Sequence, residues 1–117
     1  MTVTTSPAAV HLVDDEAPVR AAMEFLLRSH GLTVFSYDSG PAFLERLGQP
    51  VPVRGCIVLD VRMEPMSGLQ VHDELVARGV AVPVIFLTGH GDIRMAVDAL
   101  KKGAFDFVEK PLSMAKL

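Results

Sequence analysis

The sequence predicts an α/β domain in which a five-stranded parallel sheet is covered by helices on both faces. Two observations lead to this fold class. Five short apolar runs alternate with four helical patterns, which is typical of βα units joined by right-handed crossovers. Three of the runs are almost continuously apolar, which indicates strands buried on both faces. With 117 residues, 50% of them hydrophobic, the chain can form one domain with its own core.

The predicted strands are the five short apolar runs. The five ranges are Ala9 to Val13, Thr33 to Tyr37, Cys56 to Val61, Pro83 to Gly89 and Ala104 to Lys110. The lone cysteine, Cys56, begins the third run, and a single cysteine builds neither a disulfide nor a zinc site. We interpret Cys56 as a small apolar residue in a protein of the reducing cytoplasm.

Four helices are predicted between the strands from apolar residues spaced near the 3.6-residue period. The four ranges are Pro18 to Arg28, Pro41 to Leu47, Ser67 to Arg78 and Asp92 to Lys102. Ser39 precedes the second helix as a plausible cap, and Asp92 begins the fourth where an acid suits the helix dipole. Few residues follow Ser113, so a fifth helix is expected to be truncated or missing, as if the chain had been cut from a longer protein.

Composition argues against several functional classes. The net charge is −3 and the sequence pI is about 5.7, whereas a surface that grips nucleic acid is basic. The N-terminus lacks the basic and apolar regions of a signal peptide. No apolar run approaches the roughly 20 residues of a membrane span. We therefore expect a cytoplasmic protein without membrane contact.

Polar residues stand at the ends of four predicted strands. They are Asp14, Asp15, Asp60, Thr88, Gly89 and Lys110. In open α/β sheets ligands bind beyond the carboxyl ends of the strands, at the switch point in strand order. If the first and third strands are neighbours, these residues converge on one crevice.

Three carboxylates in one crevice need either bound protons or a cation. At an effective dielectric of about 20, each pair at about 4 Å costs roughly 4 kcal/mol. Oxygen ligands with room for water and phosphate suit Mg²⁺. Lys110 adds a positive charge, and Thr88 and backbone N–H groups add donors. Such surroundings suit a phosphoryl group on a carboxylate, and aspartate is a known nucleophile for this chemistry.

Four motifs resemble the receiver domain of two-component response regulators. They are "VDDE", "LDVRM…MSG", "LTGHG" and "EKP", and the resemblance extends from Val10 to Pro111. The residues of these motifs are most similar to those of the nitrogen-fixation regulator type, whose members usually carry a C-terminal helix-turn-helix domain. The resemblance implies a doubly wound, flavodoxin-like sheet of order 2-1-3-4-5. It also implies that residues 1–117 are the receiver domain and that a DNA-binding output domain lies outside this chain.

The resemblance also assigns the residues of the acceptor site. It implies that Asp60 is the phosphoacceptor, and that Asp14 and Asp15 hold Mg²⁺ or Mn²⁺ together with Asp60 and the backbone carbonyl of Arg62. Lys110 would pair with the phosphoryl group. The same group would be bound by Thr88, by Gly89 and by the backbone N–H of Arg62. Two further implications are that Thr88 and Phe107 form the switch, and that the Lys110–Pro111 bond is cis.

The implied function is a phosphorylation-dependent signalling switch. A sensor histidine kinase would donate the phosphoryl group to Asp60, and the surface formed by the fourth helix and fifth strand would then control homodimerisation. DNA would be contacted only through the output domain. The domain would catalyse its own phosphorylation and hydrolysis without a separate turnover substrate, so it is not expected to be an enzyme in the usual sense.

Two alternatives remain open. A phosphohydrolase of the haloacid dehalogenase type also forms an aspartyl phosphate. Its nucleophile belongs to an Asp-x-Asp motif, whereas here Arg62 occupies the position of the second aspartate, so the general acid is missing. A receiver-like binding module that is never phosphorylated is favoured only by Glu64, which occupies a position where the family usually has proline. We expect the Glu64 side chain to face solvent; weaker phosphoryl affinity or a water-mediated metal contact are the other interpretations.

Most of these residues have ordinary structural interpretations when taken singly. Asp14 and Asp15 could cap the first helix, and Phe107 could be a core residue in one of its two states. The histidines have no partner pattern, so we interpret them as surface or hydrogen-bonded residues rather than ligands. Those considered are His11, His30 and His72.

Overall fold

The computed structural model describes residues 9–50, 53–89 and 92–109, and its elements follow the predicted order. The strands are β1 (Ala9–Val13), β2 (Thr33–Tyr37), β3 (Cys56–Asp60), β4 (Val84–Thr88) and β5 (Asp106–Glu109). The helices are α1 (Ala17–Ser29), α2 (Gly40–Leu47), α3 (Gly68–Ala77) and α4 (Ile93–Lys101). β1 and β2 have the predicted bounds, and the other elements differ only slightly at their ends.

The five strands form one parallel sheet of order β2-β1-β3-β4-β5, which confirms the predicted order. Every residue of β1 is buried, and β3 and β4 are nearly so, because both neighbours and both faces of these strands are covered. β2 and β5 are the edge strands and have exposed residues. The three almost continuously apolar runs are therefore the three central strands.

Alternate strand residues pack into two cores on opposite faces of the sheet. Val13 and Leu59 belong to the core beneath α2, α3 and α4, whereas Leu12, Val58 and Leu87 pack against α1. This two-sided burial fixes the strand register, because a shift of one residue would exchange the two faces. The carboxyl ends of the central strands are consequently held side by side.

Two serine caps begin α2 and α3. Ser39 accepts a hydrogen bond from the Ala42 N–H at 3.2 Å, as the predicted cap requires. At α3, Ser67 and Gln70 form a reciprocal capping box, with bonds of 3.2 and 2.9 Å. Each cap satisfies backbone donors at a helix start and fixes where the preceding loop must end.

Gly68 allows α3 to begin directly against the end of β3. A Cβ atom at this position would lie 2.1 Å from the Asp60 carbonyl oxygen, so a side chain could be added only if the backbone moved apart. The Gly68 N–H also donates to the Val61 carbonyl at 2.8 Å, which closes the loop that follows Asp60. This loop forms one wall of the crevice at the strand ends.

Several predictions concern residues outside the described ranges. These are the fifth helix after Ser113, the position of Lys110 and the cis Lys110–Pro111 bond. Within the described ranges, no helix combines the length and the apolar character that crossing a membrane requires.

Candidate functional site at the strand ends

The sheet order places the ends of β1, β3 and β4 next to one another. Asp14 follows β1, Asp60 ends β3 and Thr88 ends β4. Asp14 and Thr88 are completely buried, and Asp60 is only 3% exposed. Two carboxyl groups and a hydroxyl group thus lie at the base of the crevice, as predicted.

Four acidic side chains form a compact oxygen cluster at this edge. One carboxylate oxygen from each lies within 4.8 Å of the others, and the four residues are Asp14, Asp15, Glu16 and Asp60. Glu16 was not among the predicted ligands, although its position in the "VDDE" run was the available signal. A set made only of carboxylate oxygens, partly open to solvent, fits a hard divalent cation such as Mg²⁺.

Asp14 is held by the backbone around it. The Glu16 N–H donates to Asp14 Oδ1 at 3.0 Å. The Asp14 N–H donates to the Tyr37 carbonyl at 3.2 Å, and Arg20 Nη1 donates to the Asp14 carbonyl at 2.8 Å. These bonds tie the end of β1 to α1 and to β2, so the carboxylate points into the crevice from a fixed position.

The Thr88 hydroxyl group, at the end of the strand beside β3, is buried without a hydrogen-bond partner among the described residues. A buried hydroxyl that lacks a partner typically costs about 1–3 kcal/mol. Such groups are rare in folded proteins, and one explanation for them is a ligand that supplies the missing hydrogen-bond partner. A phosphoryl oxygen on the neighbouring Asp60 would be such an acceptor, so the residues present fit both the cation and the phosphoryl group.

The backbone after Asp60 already provides one donor to this carboxylate. The Arg62 N–H donates to Asp60 Oδ1 at 3.3 Å, close to the long limit for a hydrogen bond. This bond places the Arg62 N–H beside Asp60, and its role in binding a phosphoryl group stays a prediction.

Glu64, the departure from the family pattern, lies on the outer part of the same loop. Its side chain is exposed, as expected, and its backbone N–H donates to Asp15 Oδ2 at 3.1 Å. Proline has no N–H, so the residue usual in the family could not make this bond. The Glu64–Pro65 bond that follows is cis. The departure therefore adds a backbone donor to one of the predicted metal ligands.

The Arg62 side chain turns away from the carboxylate cluster and pairs with Asp92 at the start of α4. Nε lies 2.9 Å from both carboxylate oxygens of Asp92, and Nη2 lies 2.6 Å from Oδ1. These hydrogen bonds lower the pKa of Asp92 and raise the pKa of Arg62. Asp92 precedes α4 as predicted, but its carboxylate makes no capping bond within the described part of that helix.

The predicted switch residues lie on adjacent strands. Phe107 on β5 pairs in register with Phe86 and is partly buried against the core beneath α4. Thr88 pairs with Glu109, the last described residue before Lys110. Because Lys110 lies outside the described ranges, its approach to Asp60 stays a prediction.

A cavity of about 370 Å³ opens beside the carboxylate cluster. Asp15 lies at its edge, the loop after β3 forms one side and α4 contributes Met95. The remaining lining residues are Val61, Arg62, Met63, Glu64 and Ser67. The cluster therefore has an open side lined by charged, polar and apolar side chains.

Comparison with known proteins identifies relatives among bacterial regulators. The transcriptional regulatory protein FixJ of Azorhizobium caulinodans is 51% identical over 92% of this chain and 50% of its own length. The C4-dicarboxylate transport transcriptional regulatory protein DctR of Rhodobacter capsulatus is 50% identical over 89% of this chain and 53% of its own length. The chain thus spans about half the length of these curated relatives.

Solved structures resemble the whole described fold. A crystal structure of FixJ-N matches with a TM-score of 0.86 and 41% identity, covering 96% of this chain and 88% of that one. Full-length FixJ from B. japonicum matches with a TM-score of 0.84 and 38% identity, covering 96% of this chain and 54% of that one. The family model described as the response regulator receiver domain matches residues 10–117. Together with the buried acidic crevice, this match shows that the chain belongs to the response regulator receiver domain family.

Proposed function

We propose that this receiver domain is a phosphorylation-dependent signalling switch in which Asp60 accepts a phosphoryl group from a sensor histidine kinase. The observation that carries this proposal is the buried Thr88 hydroxyl, which ends the strand next to the one that ends at Asp60 and makes no hydrogen bond among the described residues. A phosphoryl oxygen would complete the hydrogen bonding of this hydroxyl group. The family match supports the same conclusion.

In the transfer step, an Asp60 carboxylate oxygen forms a bond to phosphorus while the bond from phosphorus to the donor histidine nitrogen breaks. The departing imidazole keeps the electron pair. The Arg62 N–H, already directed at Asp60 Oδ1, would donate to the phosphorylated group, and Thr88 would donate its hydroxyl hydrogen. We assign Gly89 N–H and Lys110 to the same phosphoryl oxygens. These fixed donors stabilise negative charge without reorganising water.

The carboxylate cluster would hold a divalent cation. Asp14, Asp15 and Asp60, with the Arg62 backbone carbonyl, would bind Mg²⁺ or Mn²⁺, and Glu16 lies within reach of the same point. When bound, the cation neutralises the carboxylates and the phosphoryl oxygens. Asp14 contributes a ligand position fixed by hydrogen bonds from the Glu16 N–H and the Arg20 side chain and by its own N–H bond to the Tyr37 carbonyl on β2.

The conformational change that follows phosphorylation would be transmitted from Thr88 and Phe107 to the surface of α4 and β5. On this surface Val97 is exposed, and Phe105, just before β5, is 69% exposed, so apolar area is available for a second copy of the chain. We propose a phosphorylation-dependent homodimer that controls a C-terminal helix-turn-helix domain outside residues 1–117. The regulator names of the relatives support transcriptional control. We also propose that DNA is contacted only through that domain and that the protein acts in the cytoplasm.

Acetyl phosphate and Mg²⁺ test the acceptor directly by intact mass. The wild type is expected to gain one phosphate, and Asp60→Asn is expected to gain none. Asp73→Asn removes an exposed carboxylate on α3 and serves as a control that should still gain the phosphate. A wild type without adduct, or an equal adduct on Asp60→Asn, would contradict the proposal.

A receiver-like module that is never phosphorylated is the second candidate. Glu64 favours it, because this residue stands beside the acidic cluster where the family usually has proline and adds an exposed negative charge there. Mg²⁺ titration monitored by the amide resonances of residues 14–16 and 60–62 separates the two functions. An unphosphorylated module is expected to show no saturable change there.

A further inference from the structure

We propose that Arg62 and Asp92 form a latch that holds the start of α4 in its unphosphorylated position, and that a phosphoryl group on Asp60 releases it by competing for the Arg62 guanidinium. The latch is defined by these two side chains. The inference rests on the proposed function, since it assigns a regulatory step to the same phosphorylation site.

The latch connects two segments that are distant in the sequence. Arg62 lies on the loop after β3, and Asp92 immediately precedes α4, 30 residues later. The pair makes contacts of 2.9, 2.9 and 2.6 Å, and both oxygens of the Asp92 carboxylate take part. Bidentate pairs of arginine and carboxylate are among the most directional hydrogen bonds in proteins. The latch therefore fixes the position of the start of α4 relative to the loop that follows Asp60.

The two partners differ strongly in exposure. Asp92 is only 3% exposed, whereas 73% of the Arg62 side-chain surface is open to solvent. A buried carboxylate that loses its cation becomes an uncompensated charge, which strongly destabilises its surroundings. The exposed arginine can change partner at little cost. Arg62 is thus the member that can move, and Asp92 is the member that depends on it.

A phosphoryl group on Asp60 would be a strong competitor for Arg62. The arginine follows the acceptor by two residues, and its backbone N–H already bonds to Asp60 Oδ1. A phosphoryl group brings added negative charge and several acceptor oxygens, which match the fork of a guanidinium. It would also repel the Asp92 carboxylate, which carries charge of the same sign.

Release of Asp92 would act on the first turn of α4. The Asp92 carbonyl accepts the Ala96 N–H at 3.1 Å, and the Asp92 N–H donates to the Gly89 carbonyl at 3.1 Å. Gly89 adjoins Thr88, the proposed switch hydroxyl. The latch and the switch residue therefore lie at the two ends of the connection between β4 and α4. We propose that this connection has two arrangements and that phosphorylation shifts the equilibrium between them.

Hydrogen exchange of the Ala96 amide measures the latch in the unphosphorylated protein. Arg62→Gln removes the cation from an exposed position, so the fold is expected to persist while exchange becomes about tenfold faster. Arg62→Lys keeps the charge without the bidentate geometry and should give an intermediate rate. The double variant Arg62→Gln, Asp92→Asn should exchange no faster than Arg62→Gln alone, because the unpaired carboxylate is gone.

Glu74→Gln is the matched control, since it breaks an exposed Arg78–Glu74 pair of 3.0 Å within α3. It is expected to leave Ala96 exchange at the wild-type rate. A wild-type rate in Arg62→Gln, or an equal increase in Glu74→Gln, would overturn the latch.

Phosphorylation with acetyl phosphate and Mg²⁺ provides the second arm. In the wild type, Ala96 exchange is expected to rise toward the rate of unphosphorylated Arg62→Gln, while the variant itself should change little. A phosphate adduct without any change in wild-type exchange refutes the latch and leaves the proposed function standing. Absence of the adduct refutes the proposed function and the release step together, while the unphosphorylated variants still report whether the pair restrains α4.

Discussion

Asp15 differs from its neighbour Asp14 in how it is held. The oxygens of Asp14 lie in the buried base of the crevice, whereas Asp15 lies nearer to solvent and receives the Glu64 N–H at 3.1 Å. Groups that orient a metal ligand from outside usually affect affinity by about ten- to a hundredfold. The residue at position 64 can thus act on metal binding through its backbone, whatever its side chain does.

Replacing Glu64 by proline tests this backbone role. Glu64→Pro removes the N–H donor, frees the Asp15 carboxylate to rotate and is expected to weaken Mg²⁺ binding about tenfold. Binding can be followed by calorimetry or by the amide resonances of residues 14–16.

Glu64→Gln is the control, because it keeps the N–H and removes only the exposed charge. It should bind Mg²⁺ nearly as the wild type does. If both variants weaken binding equally, the side-chain charge and not the hydrogen bond is responsible.

At the scale of elements, α3 can begin where it does only because its first residue, Gly68, has no side chain. A Cβ at position 68 would meet three backbone atoms, the Asp60 carbonyl oxygen at 2.1 Å, its carbon at 2.8 Å and Val61 Cα at 3.0 Å. Backbone atoms cannot rotate away as a flexible side chain can, so α3 and the end of β3 would have to separate. The glycine of the "MSG" motif is explained here by its packing against the backbone of Asp60 and Val61.

Gly68→Ala is expected to lower the free energy of unfolding by about 1–3 kcal/mol, the usual range for overpacking. Urea unfolding monitored by circular dichroism measures the change. Gly48→Ala at the end of α2 is the control, since Gly48 already has a helical φ of −74° and should change stability by less than about 1 kcal/mol. Equal effects of the two substitutions would show that the close approach to Asp60 does not matter.

Helix starts were predictable because their signals are local. Ser39 caps α2 as predicted, and Ser67 with Gln70 forms the box that begins α3. The predicted start at Asp92 had the right position, but its carboxylate serves a different partner. The signal for an N-cap lies within four residues, whereas the Arg62 pairing joins residues 30 apart and leaves no local trace.

At the scale of the whole molecule, apolar continuity distinguished the three central strands from the edges, but it does not order them. The order came from the family resemblance, and the sheet confirms it. The convergence of Asp14, Asp60 and Thr88 follows from that order. The Glu64 N–H donor was not predictable, because every residue except proline carries the same group and only the path of the loop directs it to Asp15.

Two histidines in the core tie the stability of the whole domain to pH. His11 on β1 lies 3.1 Å from the Tyr37 hydroxyl through Nδ1 and stacks on Phe35, and His72 on α3 packs edge-on against Phe86. Both are only 3% exposed. Burial is the main cause that lowers the pKa of each; the charge of Arg46 adds to the effect at His11.

Because both pKa values are lower in the folded state, the unfolded chain binds more protons once the pH falls below the ordinary histidine value of 6.5. Their contribution is therefore complete above that value and is lost as the pH falls toward the folded-state pKa values. We expect the free energy of unfolding in urea to decrease between about pH 7.5 and about pH 5.5, a window above the range in which carboxylates titrate. The double variant His11→Phe, His72→Leu should show a flatter dependence over the same window, even if its stability at neutral pH is lower. A slope equal to that of the wild type would mean that the two buried rings do not carry the acid sensitivity of the fold.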